Sequence, residues 1–180
     1  MIPNIPLFFQ ECLEHFLICL PSTRPFSRLR YYYFRTRLQR CDGMFESMAG
    51  ISLFSPERIS LGKNVGIGKD STIDAGDGGI IAIGSNCQIG PFVLIRAADH
   101  RFDNPDIPIC EQGHSPGTIV IEDDCWIAGH VTVTRNVRIG KGSVIGANSV
   151  VTRDIPPYSV AAGNPAVIIR SRRPGTGREQ

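Results

Sequence analysis

The sequence predicts an all-β solenoid, in which short parallel strands wind into three-sided coils. Three features of the chain carry that prediction. Aliphatic residues recur every sixth position at Ile121, Ile127, Val133, Ile139, Ile145 and Val151. Four residues after each stands a residue that is mostly small or branched: Cys125, Val131, Val137, Ser143, Ser149 or Ile155. The same beat runs earlier through Leu61, Ile67 and Ile73 and, after a slip of four residues, through Ile83, Ile89 and Ile95. A helix repeats every 3.6 residues or so and a lone amphipathic strand every two, so neither produces this period. Period six points two side chains of every hexad inward, with a turn between successive short strands. Three hexads close one coil, and stacked coils align equivalent aliphatics.

Residues 1–50 precede the beat and are expected to form a helical cap, because an open coil end exposes unpaired strand edges. Within them Leu13, Phe16, Leu17 and Leu20 recur at helical spacing. The stretch IPLFFQECLEHFLICLP carries Glu11, Glu14 and His15. It is shorter than the roughly 20 residues of a membrane span and lacks the shape of a signal peptide. The segment RPFSRLRYYYFRTRLQR, Arg24 to Arg40, holds six arginines and no acid. The favoured reading is a capping helix with its aromatics on the first coil and its arginines solvated, as charge runs usually are. The alternative is a peripheral membrane contact through residues 24–40, since arginines and aromatics together suit an anionic lipid surface.

Residues 51–170 form the coil domain, whose beat covers roughly residues 57–165. Between Ile95 and Ile121 the beat is silent for 26 residues, one coil of 18 plus eight more. The surplus must leave the coil as a loop, about residues 99–117, and its prolines, glycines and polar residues suit an excursion. Loops held by a rigid scaffold are where function gathers. Pro156 and Pro157 withdraw hydrogen-bond donors and stop the ladder. Residues 171–180 are expected to fray.

The totals exclude little but agree. At 180 residues, 42% hydrophobic and 20% charged, the chain fits one globular domain. A net charge of +2 is too small to argue for a nucleic-acid partner. Six cysteines without CxxC spacing argue against a zinc ribbon or thioredoxin-like site and suit reduced thiols in the cytoplasm.

The segments RAADHRF and IEDDCWIAGHVTVTRNVRIGKGSVIGANSVVTRDIPPYSVAAGNPAVIIR bring a resemblance. Over about residues 60–170 the chain resembles the hexapeptide-repeat O-acetyltransferases of the maltose and galactoside type. It is closer still to their relatives that acetylate capsule, lipopolysaccharide or exopolysaccharide sugars. The resemblance implies a left-handed parallel β-helix, a hand that departs from the usual right-handed crossover. It implies acetyl-CoA as acyl donor, no metal, and a homotrimer with active sites between subunits. His100, at the start of the loop, would be the general base, a role suited to an imidazole with a pKa near 6.5. The backbone N–H of Gly129 would hold the oxyanion and touch the thioester. Trp126 would line the cleft, or be a packed or merely amphipathic surface aromatic; Ala128 replaces the glycine of the usual WIG. Ala147 and Thr152 would contact the pantetheine arm, with Asn164, Pro165 and Ala166 near the adenine. Arg170 would meet a phosphate. Val167 stands where such enzymes often carry a basic residue, so part of that clamp is either missing or supplied by Arg172 or Arg173.

Acceptor contacts are expected from Asp70, Asp74 or Asp77, with Asp74 alternatively orienting His100; aspartates also gather in turns for conformational reasons. His100, His114 and His130 suggest zinc, but their spacings of 14 and 16 do not match relatives with three metal-binding histidines. His114 is read as part of the loop wall. The function expected is acetyl transfer to a hydroxyl of a sugar or surface-polysaccharide precursor, in the cytoplasm or at the inner membrane face. The rivals are an N-acetyltransferase on a nucleotide-linked amino sugar and a non-catalytic scaffold.

Overall fold

The computed structural model describes residues 7–173. Helix α1, Leu7–Cys19, and helix α2, Arg24–Phe34, are followed by a parallel β-helix. Its three faces are parallel sheets of five, seven and five strands, here called A, B and C; the last strand of face B alone runs antiparallel. The six-residue beat places one aliphatic on each face per coil. Leu61, Ile83, Ile121 and Ile139 are in register on face A. Ile67, Ile89, Ile127 and Ile145 stack on face B, and Ile73, Ile95, Val133 and Val151 on face C. All are buried and form one continuous core.

The corners need backbone with positive φ, where Asn and Asp are tolerated best. Asn64, Asn86 and Asp124 supply it between faces A and B, and Asp70 and Asn148 between B and C. Phe92 and His130 take the same conformation on the B/C corner, and their rings stack 4.8 Å apart.

Two expectations are corrected. The coils begin before residue 50: Arg40–Cys41, Glu46–Ser47 and Ser52–Phe54 already form a first coil paired to the second. Cys41, Ser47 and Leu53 keep the six-residue spacing, but only Leu53 is aliphatic, so the beat is silent there. Ser47 has another task, because its Oγ and carbonyl accept hydrogen bonds from the buried Arg30 guanidinium at 3.2 and 2.9 Å. The second correction concerns α1. Leu17 is buried, but Leu13, Phe16, Phe8 and Phe9 face outward. Among the described residues no helix is long and apolar enough to cross a membrane.

At the far end Ser159–Ala162 extends face B, and Val167–Ser171 folds back antiparallel over its edge. Residues 174–180 of the expected frayed tail lie outside the described residues.

Cys87 and Cys125 are buried in successive coils. The neighbouring Cys125 thiol and burial push the Cys87 thiol up from its ordinary pKa. In native protein a thiol reagent is expected to label exposed Cys12, Cys19 and Cys110 first, Cys41 more slowly, and Cys87 and Cys125 only on unfolding. Peptide mapping reads this order, and prompt labelling of Cys87 in folded protein would contradict the stacked core.

Candidate functional site

Both interruptions of the beat fall on the corner between faces C and A. The four-residue slip becomes the turn after Asp74, with Gly76 and Gly78 at φ +63° and +84°. One coil later the long excursion leaves as an antiparallel hairpin, Ala98–His100 against His114–Pro116. The hairpin is tied at its root. Gly117 N–H donates to Ala97 O at 2.7 Å, Arg101 N–H to Gly113 O at 3.0 Å, and Arg135 Nε to Asp99 Oδ2 at 2.8 Å. The Gln112 side-chain amide closes the tip onto Asn104 and Ile107. His100 is therefore exposed on a backbone that is held.

The His100 ring lies 4.5 Å from that of His114, its cross-strand partner. His114 Nδ1 lies 3.9 Å from Asp77 Oδ2. His114, Asp77 and Arg135 thus surround the root of His100, so His114 is more than the part of the loop wall that the sequence predicts. The signal that finds them is the slip between Ile73 and Ile83, because it occurs one coil before the loop and so stacks directly beneath it.

Asp74 is corrected as an acceptor ligand and as the group that orients His100. It is nearly buried, with Oδ2 on Arg96 Nη1 at 2.8 Å and Oδ1 accepting from Gly76 N–H at 2.7 Å. Asp70 is a turn residue of the other, B/C corner, 3.7 Å from Lys69 Nζ.

The B/C corner carries Gly129 and Ala147 on successive coils. Among the described residues neither backbone N–H has a hydrogen-bond partner. Asn164 and Pro165 top the same corner, after Gly163, whose carbonyl accepts from Val150 N–H at 3.0 Å. Trp126 opens onto face B and is 54% exposed, so it is not a packed aromatic. Gln88, Trp126, Val144, Val160 and Arg170 stand in register along that face. Thr152 begins the C/A corner, across face C from Ala147. Arg172 and Arg173 are corrected as substitutes for a phosphate clamp: Arg172 is held by Asp124 and the Gly142 carbonyl, and Arg173 lies over the Tyr158 ring at 4.0 Å.

The expected catalytic pair is thus split. His100 and Gly129 of one chain stand on different corners, separated by the width of face C, on the order of 15–20 Å for a six-residue side. A base must come within about 3 Å of the proton it takes. His130 is also on the B/C corner, away from His100 and His114, and no three His, Cys, Asp or Glu among the described residues converge as metal ligands.

Residues 118–153 match the family pattern described as bacterial transferase hexapeptide (six repeats). A Staphylococcus aureus (strain COL) protein named as an acetyltransferase is 39% identical over 141 residues, covering 74% of this chain and 69% of the relative. A Mycobacterium tuberculosis protein named as an acetyltransferase is 35% identical over 115 residues, covering 64% of this chain but only 38% of that longer protein. Among solved structures, a hexapeptide-repeat acetyltransferase of Vibrio cholerae complexed with acetyl coenzyme A superposes with a TM-score of 0.76 and 30% identity, covering 92% of this chain and 86% of that one. A galactoside acetyltransferase in complex with coenzyme A gives 0.79 and 26%, covering 92% and 80%.

Proposed function

This chain belongs to the hexapeptide-repeat acetyltransferases, and from that premise we propose that it transfers the acetyl group of acetyl-CoA to a hydroxyl of a sugar or surface-polysaccharide precursor. His100 is the general base, and the sites lie between the subunits of a homotrimer. The observation that carries this reading is the split of His100 from the unbonded amides of the B/C corner. One chain holds both halves of an acyl-transfer site but cannot use both on one substrate. A ring of copies, each presenting its C/A corner to the next copy's B/C corner, is a closed heterologous assembly. Face C lies between those corners, and its outward column of Ser52, Thr72, Leu94, Thr132 and Val150 is uncharged, which suits burial around a threefold axis.

In the chemistry, His100 of one copy accepts the proton of the sugar hydroxyl as its oxygen attacks the thioester carbon. Gly129 N–H of the next copy donates to the oxyanion. The C–S bond then breaks, and the imidazolium returns its proton to the departing thiolate. Ala147 N–H, one coil beyond, faces the donor arm. Arg170 stands three strands from Trp126, about 14 Å along face B, where a guanidinium suits a phosphate. Asn164 and Pro165 stand near the adenine end and Thr152 contributes its hydroxyl. The free cysteines accord with a cytoplasmic location.

The test is transfer from labelled acetyl-CoA to surface-glycan fragments. The expected product is an ester that mild hydroxylamine cleaves. A hydroxylamine-stable amide would assign the label to nitrogen, and absence of transfer to every glycan would refute the reading.

A further inference from the structure

Of the six arginines in residues 24–40, four have partners. Arg30 is buried against carbonyls, Arg35 and Arg37 lie over the Tyr31 and Tyr33 rings at 5.4 and 4.5 Å, and Arg40 meets Asp42 at 3.2 Å. The segment is therefore neither a uniformly solvated run nor a uniform basic stripe. Arg24 and Arg28 remain, one helical turn apart on α2, with no hydrogen bond or ion pair among the described residues. Both line one cavity of about 310 Å³ between α2 and the first three coils of face B, a size at the lower end of small-molecule sites. Its floor drops at Gly66, where any Cβ would meet Gln88 Oε1 at 2.4 Å. Glu46, Met48 and Gln88 also line it, and among the described residues Glu46 is its one carboxylate.

The cavity's place gives it a role. Gln88 is the register partner of Trp126, so the cavity adjoins the tryptophan on the side away from Ala147 and Arg170. The donor occupies the later coils in the reading above, on which this inference rests, and the early coils of the same face are left for the acceptor. We propose that this cavity is the acceptor subsite, and that Arg24 and Arg28 select a sugar bearing a carboxylate or phosphate, while Glu46 and Gln88 take its hydroxyls.

Calorimetric titration of the full chain with glucuronate, glucose 6-phosphate and glucose tests this without turnover. At least one acidic sugar is expected to bind about tenfold or more tightly than glucose, as charge-assisted hydrogen bonds to guanidinium imply. Whichever acidic sugar binds more tightly identifies the anion. The Arg24→Ala/Arg28→Ala variant is expected to lose that preference and keep its affinity for coenzyme A; both side chains are exposed, so the fold is kept. No detectable binding of either acidic sugar, a preference that survives in the variant, or a loss of coenzyme A affinity in its place would each overturn the proposal. Acidic sugars that bind here but receive no acetyl group, while neutral glycans do, would overturn the acceptor role of this cavity and leave the transferase reading standing; absence of transfer to every glycan would sink that reading instead.

Discussion

Replacing His100 with alanine is expected to lower kcat by about 10²–10⁴, the usual contribution of a positioned general base, with the coil stack unchanged. The ring is exposed, its one ring contact among the described residues is with His114, and its backbone is set by strand pairing and by the Arg101–Gly113 bond. Removing it therefore takes away a proton acceptor without opening a cavity. Coenzyme A affinity should hold, because Gly129 and Ala147, whose amides are proposed to face the donor, lie on the other corner. Steady-state kinetics with a thermal melt checks both halves. His114→Ala tests positioning: it is expected to cost less in kcat than His100→Ala and to shift the pH–rate profile. Near-normal turnover in His100→Ala would end the assignment of the base.

Replacing Arg30 with alanine is expected to destabilise the protein by about 2–4 kcal/mol, because it strips buried neutral acceptors of charge-assisted hydrogen bonds worth about 1–3 kcal/mol when left unmade. Arg30 is fully buried and donates to Leu17 O, Leu20 O and Pro21 O on one side and to Ser47 Oγ and Ser47 O on the other. One side chain thus closes the exposed carbonyl end of α1 and bolts both helices to the first coil. Alanine leaves these acceptors unsatisfied. Arg30→Lys should recover only part of the loss, because one ammonium cannot span the same fork. Urea unfolding gives the magnitude, and hydrogen exchange should show α1 and α2 losing protection before the later coils. A variant as stable as the parent would mean that the helices are held by Tyr31 and Phe34 packing alone.

The later coils were legible because Ile, Val and Leu recur at every inward position, and a period of six has no other simple source. The first coil was hidden because Cys41 and Ser47 stand where aliphatics were sought, and Ser47 serves Arg30 instead. The long loop was visible as a surplus of residues. Its partnership with Asp77 and Arg135 was not, since it depends on which corners stack. In sequence Asp74 can be an acceptor contact, an orienter of His100 or a turn residue; in space it is the turn residue, ion-paired with Arg96 22 residues away. The cavity beneath Trp126 could not be read at all, because it joins α2 to three separate coils.

The central claim is that each active site is shared: His100 from one copy, the Gly129–Ala147 corner from the next. Co-expression of two inactive variants tests it most directly. His100→Ala removes the base, and Ala147→Trp, at an exposed position, obstructs the donor path. In mixed trimers from equal amounts, a site works when an intact corner meets an intact histidine, which holds for about a quarter of sites in a closed heterologous ring. Activity near a quarter of the parent's is predicted. Mixed assemblies as inactive as either variant alone would show that one copy supplies both groups, and would contradict the account.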